Sequence, residues 1–314
     1  MSEITRARTA EQESEYLLNI RKIIAEHKRW DIIFGLIGMV CLMIGVLSFV
    51  ALFLQMATNG VGRLDWGFFT NFPSRRAGEA GILSAWVGST LVMLVTAMVA
   101  VPLGVGAGVY LEEYARKNWF TDLIEINITN LAGVPSIVYG LLALGLFVYQ
   151  FGLGQSILSA GLTLALLILP VIIVATREAI RSIPQHIREG SYACGATQWQ
   201  TVKDHILPYS SAGILTGVII GMSRAIGETA PIITIGALTF IAFLPPSPLD
   251  GNPFAWIMSP FTVMPIQMFN WTSRPEAAFQ ANAAAAGSVL VLMTLTMNGL
   301  AIFLRYRLRR NIKW

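Results

Sequence analysis

Residues 210–244 read SSAGILTGVIIGMSRAIGETAPIITIGALTFIAFL, and Arg224 and Glu228 are the only charged residues in this apolar stretch. Ionisable residues within a membrane span are costly and usually mark a substrate or ion path. Gly227 and Pro231 flank the second charge, and both residue types can interrupt a helix. The pattern predicts a broken membrane helix with a cation at mid-depth, an arrangement that can bind anions. The alternative is an Arg–Glu pair that only neutralises itself between packed helices.

The whole chain is apolar, with 54% hydrophobic and 13% charged residues among 314. A soluble domain carries about a quarter charged residues. A helix needs about 20 apolar residues to cross the hydrocarbon core, and the periodicity here favours helices over a barrel. We therefore predict an all-α integral membrane protein with six transmembrane helices. The predicted spans are 31–57, 84–111, 122–150, 156–178, 211–243 and 281–304.

The distribution of basic residues predicts the orientation. Most of the 22 lysines and arginines lie before the first span, after the last span and between alternate spans. Because basic residues favour cytoplasmic segments, both termini are predicted to face the cytoplasm. The net charge of +4 then reflects this bias and contact with the lipid membrane, not nucleic-acid binding. We divide the chain into an amphipathic N-terminal helix at 1–30, a transmembrane domain at 31–304 and a basic cytoplasmic tail at 305–314.

The sequence offers little for enzyme chemistry. Cys41 lies in a predicted span and Cys194 in a predicted cytoplasmic loop, so no disulfide is expected. The three histidines lack metal-ligand spacing, and no Ser–His–Asp set is visible. No Gly-x-x-x-x-Gly-Lys-Ser/Thr segment for ATP occurs. The first apolar stretch follows about thirty polar residues and is too long for a signal peptide. We expect no enzyme activity, no metal and no cofactor in this chain.

The third predicted span contains polar residues and a proline, in the segment NLAGVPS at 130–136. Proline frees backbone carbonyls within a span, so Pro135 predicts a kink at which neighbouring polar groups satisfy them. Asn130 and Ser136 are candidates for lining a pore, with a purely structural role as the alternative. The fifth span carries a stripe of small residues at Gly213, Gly217 and Gly221. Such stripes let helices approach closely, so packing is their expected role.

The loop between the fourth and fifth spans, about 178–210, has mixed polarity and reads as two short helices outside the membrane. The first helix is predicted to run to Cys194, with a turn at Gly195. The second is predicted to reach Leu207 and to be stopped by Pro208. A short exposed helix pair fits a cleft on another protein. We therefore predict that this loop docks onto a cytoplasmic partner.

This loop resembles the coupling segment of ABC importer permeases, whose pattern is Glu-Ala-Ala, three residues, Gly, nine residues, Ile-x-Leu-Pro. The matching positions are Glu189, Gly195, Leu207 and Pro208. The chain departs from the pattern at Gly190-Ser191, where the alanine pair would stand, and at His205, where the pattern has Ile. Together with SRAIGET at 223–229 and NLAGVPSIVYG at 130–140, the loop is similar to the PstA type of phosphate-specific permease. The resemblance covers residues 85–305 and implies the type I, MetI-like permease fold.

The resemblance also implies partners and a location. They are a sister permease of the PstC type, two ATPase subunits of the PstB type that bind ATP and Mg²⁺, and a periplasmic phosphate receptor of the PstS type. The location is the bacterial inner membrane, with several spans. The expected substrate path comprises Arg224, Glu228, Ser223, Thr229, Asn130 and Ser136. The expected contact to the ATPase comprises Glu189, Gly195, Ala196, Leu207 and Pro208.

The residues of the path suggest a mechanism. Arg224 offers a delocalised cation whose donors match phosphate oxygens. Glu228 can hold Arg224 between transport events and can accept a hydrogen bond from the P–OH group, which sulfate lacks at neutral pH. Ser223 and Thr229 are auxiliary donors. The sequence leaves four alternative hypotheses: a PstC-type sister subunit, a permease for another oxyanion, a secondary transporter driven by an ion gradient, or a scaffold that transports nothing.

Overall fold

The computed structural model describes residues 2–247, 252 and 254–309. Every regular element in these ranges is helical, as the sequence predicts. The chain divides into two compact units, Met1–Gln55 and Met56–Trp314. Helix α1, Ser2–Gly60, makes up the first unit and extends into the second. The predicted surface helix at 1–30 and the predicted first span are therefore one continuous helix. The apolar residues at helical spacing that predicted the amphipathic helix are Tyr16, Leu17, Ile20, Ile23 and Ile24. The side chains of the first four lie outside the described residues, and Ile24 is 58% exposed.

The second unit contains the remaining helices. They are α2 (Trp66–Thr70), α3 (Leu83–Val109), α4 (Trp119–Leu131), α5 (Ser136–Ala143), α6 (Ile157–Arg181), α7 (Gln185–Ala193), α8 (Gln198–Thr201), α9 (Leu207–Gly227), α10 (Ala230–Ile235), α11 (Met264–Thr272) and α12 (Ala277–Arg309). Three π-helical segments continue α3, α5 and α8, at Tyr110–Tyr114, Leu144–Gln150 and Val202–Ile206. Short 3-10 helices lie at Val61–Arg63 and Ala255–Met258. Residues 310–314 of the predicted basic tail lie outside the described residues.

Five helical stretches of the described chain are long and apolar enough to cross a membrane, and a bent pair supplies the sixth predicted span. The five are His27–Arg63, Leu83–Tyr114, Ile157–Arg181, Gln198–Gly227 and Ala277–Arg307. The bent pair consists of Trp119–Leu131 and Ser136–Gln150, whose axes differ by 106°. The predicted kink at Pro135 is confirmed, and it is a full break, because the helix stops at Leu131 and restarts at Ser136. Pro135 disfavours helical backbone at the residue before it and opens α5 as its N-cap.

Helix α6 forms the centre of the second unit, with α3 on one side and α9 on the other. Gly104 of α3 lies so close to Ile172 that a Cβ atom there would come within 2.6 Å of its side chain. On the opposite side, a Cβ atom at Gly213 of α9 would lie 2.5 Å from that of Ala179. Gly217 approaches Ala175 in the same way. The prediction that the small-residue stripe serves packing is confirmed, since only glycine lets these helices approach so closely.

The segment between α1 and α3 forms a packed cap. Phe68 of α2 is fully buried beside Trp271 of α11, although the sequence alone would allow this aromatic residue to lie at the membrane interface. Arg63 donates from Nε to Asn282 of α12 (2.8 Å) and from Nη2 to the carbonyl oxygen of Ala80 (2.9 Å). These bonds attach the loop to the start of α12. The segment between α10 and α12 contains α11, whose side chains are largely buried.

Candidate transport path and coupling segment

The fifth predicted span is interrupted where Arg224 and Glu228 lie. Helix α9 ends at Gly227, Glu228 has extended backbone (φ −76°, ψ 127°), and α10 begins at Ala230 with Pro231 in its first turn. Proline is tolerated there because the first-turn N–H groups have no intrahelical partner. The predicted break is therefore confirmed. The predicted helical extent to residue 243 is wrong: α10 ends at Ile235, where Gly236 takes a left-handed conformation (φ +96°).

Arg224 and Glu228 form an ion pair across the end of α9. The Nε atom of Arg224 lies 3.2 Å from Oε1 of Glu228, and the side chains are 38% and 19% exposed. Arginine has five N–H donors, of which one donates to Glu228 among the contacts that the structure describes. The guanidinium is therefore accessible to solvent, and the carboxylate that it contacts lies deeper in the protein. This geometry fits a cation that an external anion can reach.

Glu228 borders a small cavity of ≈ 10 Å³ in the core of the second unit. Helices α3, α6, α9 and α10 and the segment before α11 form its walls. The lining residues are Ser89, Val92, Met93, Leu164, Ala225, Ile226, Glu228, Ile232 and Val263. A cavity of this size has room for about one water molecule. Glu228 is the one ionisable residue in a wall that is otherwise apolar apart from the hydroxyl of Ser89.

The two broken spans meet just beyond this pair. Gly140 of α5 lies against Thr234 and Pro231 of α10, so closely that a Cβ atom would come within 2.6 Å of the Cα atom of Pro231. The hydroxyl of Tyr139 donates to the carbonyl oxygen of Leu131 across the bend, at 2.8 Å. This bond satisfies a carbonyl that the interrupted helix leaves open. Sequence reasoning assigned no role to Tyr139, although an aromatic hydroxyl just after a proline break is a signal for such a bond.

The other predicted path residues are placed in different surroundings. The hydroxyl of Ser223 lies 2.6 Å from the carbonyl oxygen of Ile219 and 2.6 Å from Oδ1 of Asn298 in α12, so it joins α9 to α12. Thr229 lies beside Glu228, directly before α10, and is partly buried. Ser136 is partly exposed at the start of α5. Asn130 is exposed and lines a separate groove of ≈ 350 Å³ with Asp122, Glu125, Ile126 and Thr129.

The predicted docking loop forms α7, a turn, α8 and a π-helical segment that runs into α9. Gly195 has φ +82°, a left-handed conformation that favours glycine. Thr197 and Gln200 form a capping box at the start of α8. The predicted stop at Pro208 is wrong, because Pro208 occupies the first turn of α9 and the helical path continues from Gln198 to Gly227. The second short helix is therefore the beginning of the fifth span.

The predicted contact residues of this loop are accessible. Glu189, Gly195 and Pro208 are exposed, and Ala196 and Leu207 are partly buried. A groove of ≈ 320 Å³ runs between α7 and the segment after it. It is lined by Ser191, Cys194, Gly195, Ala196, Gln200, Asp204 and His205. Ser191 and Thr201 hydroxyls lie 2.9 Å apart and hold the two sides of the groove together.

A cluster of ion pairs connects the end of α6 with α4 and with the π-helical extension of α3, and sequence reasoning missed it. Arg177 contacts Glu125 of α4 at 2.8 Å and Glu112 at 3.4 Å. Arg181 contacts Glu112 at 3.1 Å. The sequence signal was the presence of acidic residues just after one span and basic residues just after another. The charges alone do not reveal which acidic residue pairs with which basic residue, because this depends on how the helix ends lie side by side.

A family model described as "Binding-protein-dependent transport system inner membrane component" matches residues 100–314. The chain belongs to this family. It is thus a multi-pass permease subunit of the inner membrane, which confirms the predicted membrane. The cytoplasmic orientation of the termini stays a prediction. The predicted fold is confirmed as well. The permease shares its fold with an inward-facing form of the MetNI methionine ABC transporter, with a TM-score of 0.53 and 16% identity over 72% of this chain and 94% of that one.

Curated relatives cover most of the permease. It is 34% identical to the "Probable ABC transporter permease protein YqgI" of Bacillus subtilis, over 84% of this chain and 90% of that protein. It is 30% identical to the "Phosphate transport system permease protein PstA" of Yersinia pestis, over 84% of this chain and 86% of that protein. A PstA protein of Mycobacterium leprae is 33% identical, over 76% of this chain and 75% of that protein. The predicted resemblance to PstA-type permeases is confirmed.

Proposed function

We propose that the permease is a transmembrane subunit of an ATP-driven importer of inorganic phosphate. The observation that carries this proposal is the Arg224–Glu228 pair, a partly exposed guanidinium at a helix break. The similarity to phosphate permeases of the PstA type supports the choice of anion. In this assignment Arg224 binds phosphate oxygens during passage, and Glu228 takes the guanidinium back afterwards. Binding at this site is weak, because an anion held tightly would not be released.

The same proposal assigns the partners. A PstC-like sister permease completes the path, a PstS-like periplasmic receptor delivers phosphate, and two PstB-like subunits bind ATP and Mg²⁺. Hydrolysis takes place in those subunits and not in this chain. Both termini face the cytoplasm, which puts the exposed groove between α7 and the segment after it on the ATPase side. The short exposed helices α7 and α8 that border it fit a cleft on another protein.

Uptake of radiolabelled phosphate tests the substrate. The complete complex is reconstituted in vesicles with the receptor outside and ATP inside, and excess sulfate or unlabelled phosphate is added as competitor. We expect ATP-dependent uptake that unlabelled phosphate suppresses and sulfate does not. Equal suppression by sulfate would assign the path to oxyanions in general. Uptake without ATP would identify a secondary transporter and remove the proposed role of the loop.

Glu228→Gln should reduce the preference for phosphate over sulfate. The carboxylate accepts a hydrogen bond from P–OH and repels the fully ionised sulfate, whereas the amide does neither as strongly. One hydrogen bond to a charged group contributes about 1.5 kcal/mol, which corresponds to about a tenfold change in the ratio of the two uptake rates. Glu79→Gln, in an exposed pair with Arg76 between α2 and α3, is the matched control. An unchanged ratio in Glu228→Gln would remove Glu228 from substrate discrimination.

A further inference from the structure

Glu113 lies at the end of the second span. It contacts both short helices of the segment between α6 and α9, which we call the coupling loop. Its side chain is 5% exposed. Its carboxylate accepts hydrogen bonds from Nη2 of Arg188 at 2.7 Å and from Nε at 3.0 Å. Its backbone carbonyl oxygen accepts a hydrogen bond from the side-chain amide of Gln198 at 2.5 Å. Arg188 belongs to α7 and Gln198 begins α8. We call these three residues the Glu113 latch.

The guanidinium of Arg188 also reaches the end of α6. Nη1 donates to the carbonyl oxygen of Ile183 at 2.9 Å and Nη2 donates to that of Ile180 at 3.1 Å. The last carbonyls of a helix lack intrahelical partners and favour a nearby cation. One side chain therefore joins α7, the end of α6 and the end of the second span. Lysine could not reproduce these contacts, because it lacks the planar fork of donors.

The π-helical segment Tyr110–Tyr114 presents two neighbouring carboxylates to different elements. It closes with a bond from the N–H of Ala115 to the carbonyl oxygen of Tyr110, at 2.8 Å. Glu112 contacts Arg181 of α6, whereas Glu113 contacts the coupling loop. Such wide turns are rare in proteins, and those that occur are often found at functional sites. The end of the second span is thus fixed to α6 and to the coupling loop at once.

The same span borders the candidate transport path farther along its length. Ser89, Val92 and Met93 of α3 line the cavity that Glu228 borders. Helix α3 and its π-helical extension run without interruption from Leu83 to Tyr114. Ser89 and Glu113 are separated by about 36 Å along an ideal helix. One continuous helix therefore connects the Glu113 latch with the cavity wall that faces Glu228, so a movement at one end can be transmitted to the other.

We propose that the Glu113 latch is the positioning contact that transfers movement of the coupling loop to α3 and so to the wall of the Arg224–Glu228 site. This proposal rests on the proposed function, since it presumes that an ATPase moves the loop. Glu113, Arg188 and Gln198 act through α3 and do not touch the substrate. Weakening the latch lets the loop move without α3. ATP hydrolysis then continues while less phosphate is transported.

The experiment measures phosphate uptake and receptor-stimulated ATP hydrolysis in the same reconstituted complex. The variants are Glu113→Gln, which removes the charge with little change in size, and Arg188→Lys, which keeps the charge and loses the fork. We expect the phosphate transported per ATP hydrolysed to fall by about two- to thirtyfold, the range for residues that couple distant sites. Glu178→Gln is the matched control. Its carboxylate pairs with Arg181 at the exposed surface, so the ratio should stay at the wild-type value.

The outcomes separate this proposal from the proposed function. If the wild-type complex imports no phosphate, the proposed function fails. If it imports phosphate and both variants assemble with an unchanged ratio, the latch proposal is overturned. Loss of assembly in both variants, measured by co-purification of the ATPase, would assign the contact to folding and would also overturn it. A reduced ratio in either assembled variant, with Glu178→Gln unchanged, supports the latch.

Discussion

Replacing Arg224 with alanine is expected to lower ATP-dependent phosphate uptake by about a hundredfold or more. A hydrogen bond to a charged group contributes about 1.5–3 kcal/mol, and a guanidinium can offer phosphate two in parallel. Losing both corresponds to two or more factors of ten. The measurement is initial uptake in vesicles that contain the complete complex, with assembly followed by co-purification of the ATPase.

Two further variants separate anion binding from simple charge neutralisation. In Arg224→Ala the carboxylate of Glu228 keeps its place at a largely apolar cavity without its partner, and an unpaired carboxylate would itself repel phosphate. The double variant Arg224→Ala with Glu228→Gln removes that repulsion. If uptake returned to near wild-type rates in the double variant, Arg224 would be only a counter-ion. Arg224→Lys should give an intermediate rate, since lysine keeps the charge without bidentate donors.

The helix break at Glu228 was predictable because its causes are local. Gly227 and Pro231 weaken the helix on both sides of a charged residue, and no distant contact is needed to see this. The same reasoning fell short at Pro135. A proline reveals that a helix is disturbed, but the 106° angle between α4 and α5 depends on neighbours. Gly140 packs on α10, and that contact joins residues far apart in sequence.

Pro208 shows a different limit of local reasoning. Proline stops a helix when it enters the interior and starts one when it lies in the first turn. The sequence before it permits either outcome, and the structure selects the start of α9. The Glu113 latch was beyond sequence reasoning for a related reason. Glu113 and Arg188 are 75 positions apart, and like-charged neighbours at Glu112 and Arg181 offer equally plausible pairs until the fold brings the helix ends together.

Gly195→Val is expected to uncouple the permease from its ATPase. Gly195 has φ +82°, and a β-branched residue in the left-handed region is a strong outlier that costs about 1–2 kcal/mol or more. No atom lies within 4 Å of the position where the Cβ would stand, so the strain comes from the backbone and not from a collision. The turn should therefore relax to negative φ. Such a change redirects α8 relative to α7 and alters the groove that Gly195 and Ala196 line.

We expect at least about a tenfold loss of co-purifying ATPase and of ATP-dependent uptake in Gly195→Val, because a groove that changes shape loses more than one contact. Gly106→Val is the matched control, since Gly106 also has open space around it but lies within α3 at a negative φ. Gly195→Asn is the conservative variant. Asparagine tolerates the left-handed conformation better than valine, so it should restore much of both signals. Full association and uptake in Gly195→Val would show that the ATPase does not depend on this turn, and would move the docking site away from the groove between α7 and the segment after it.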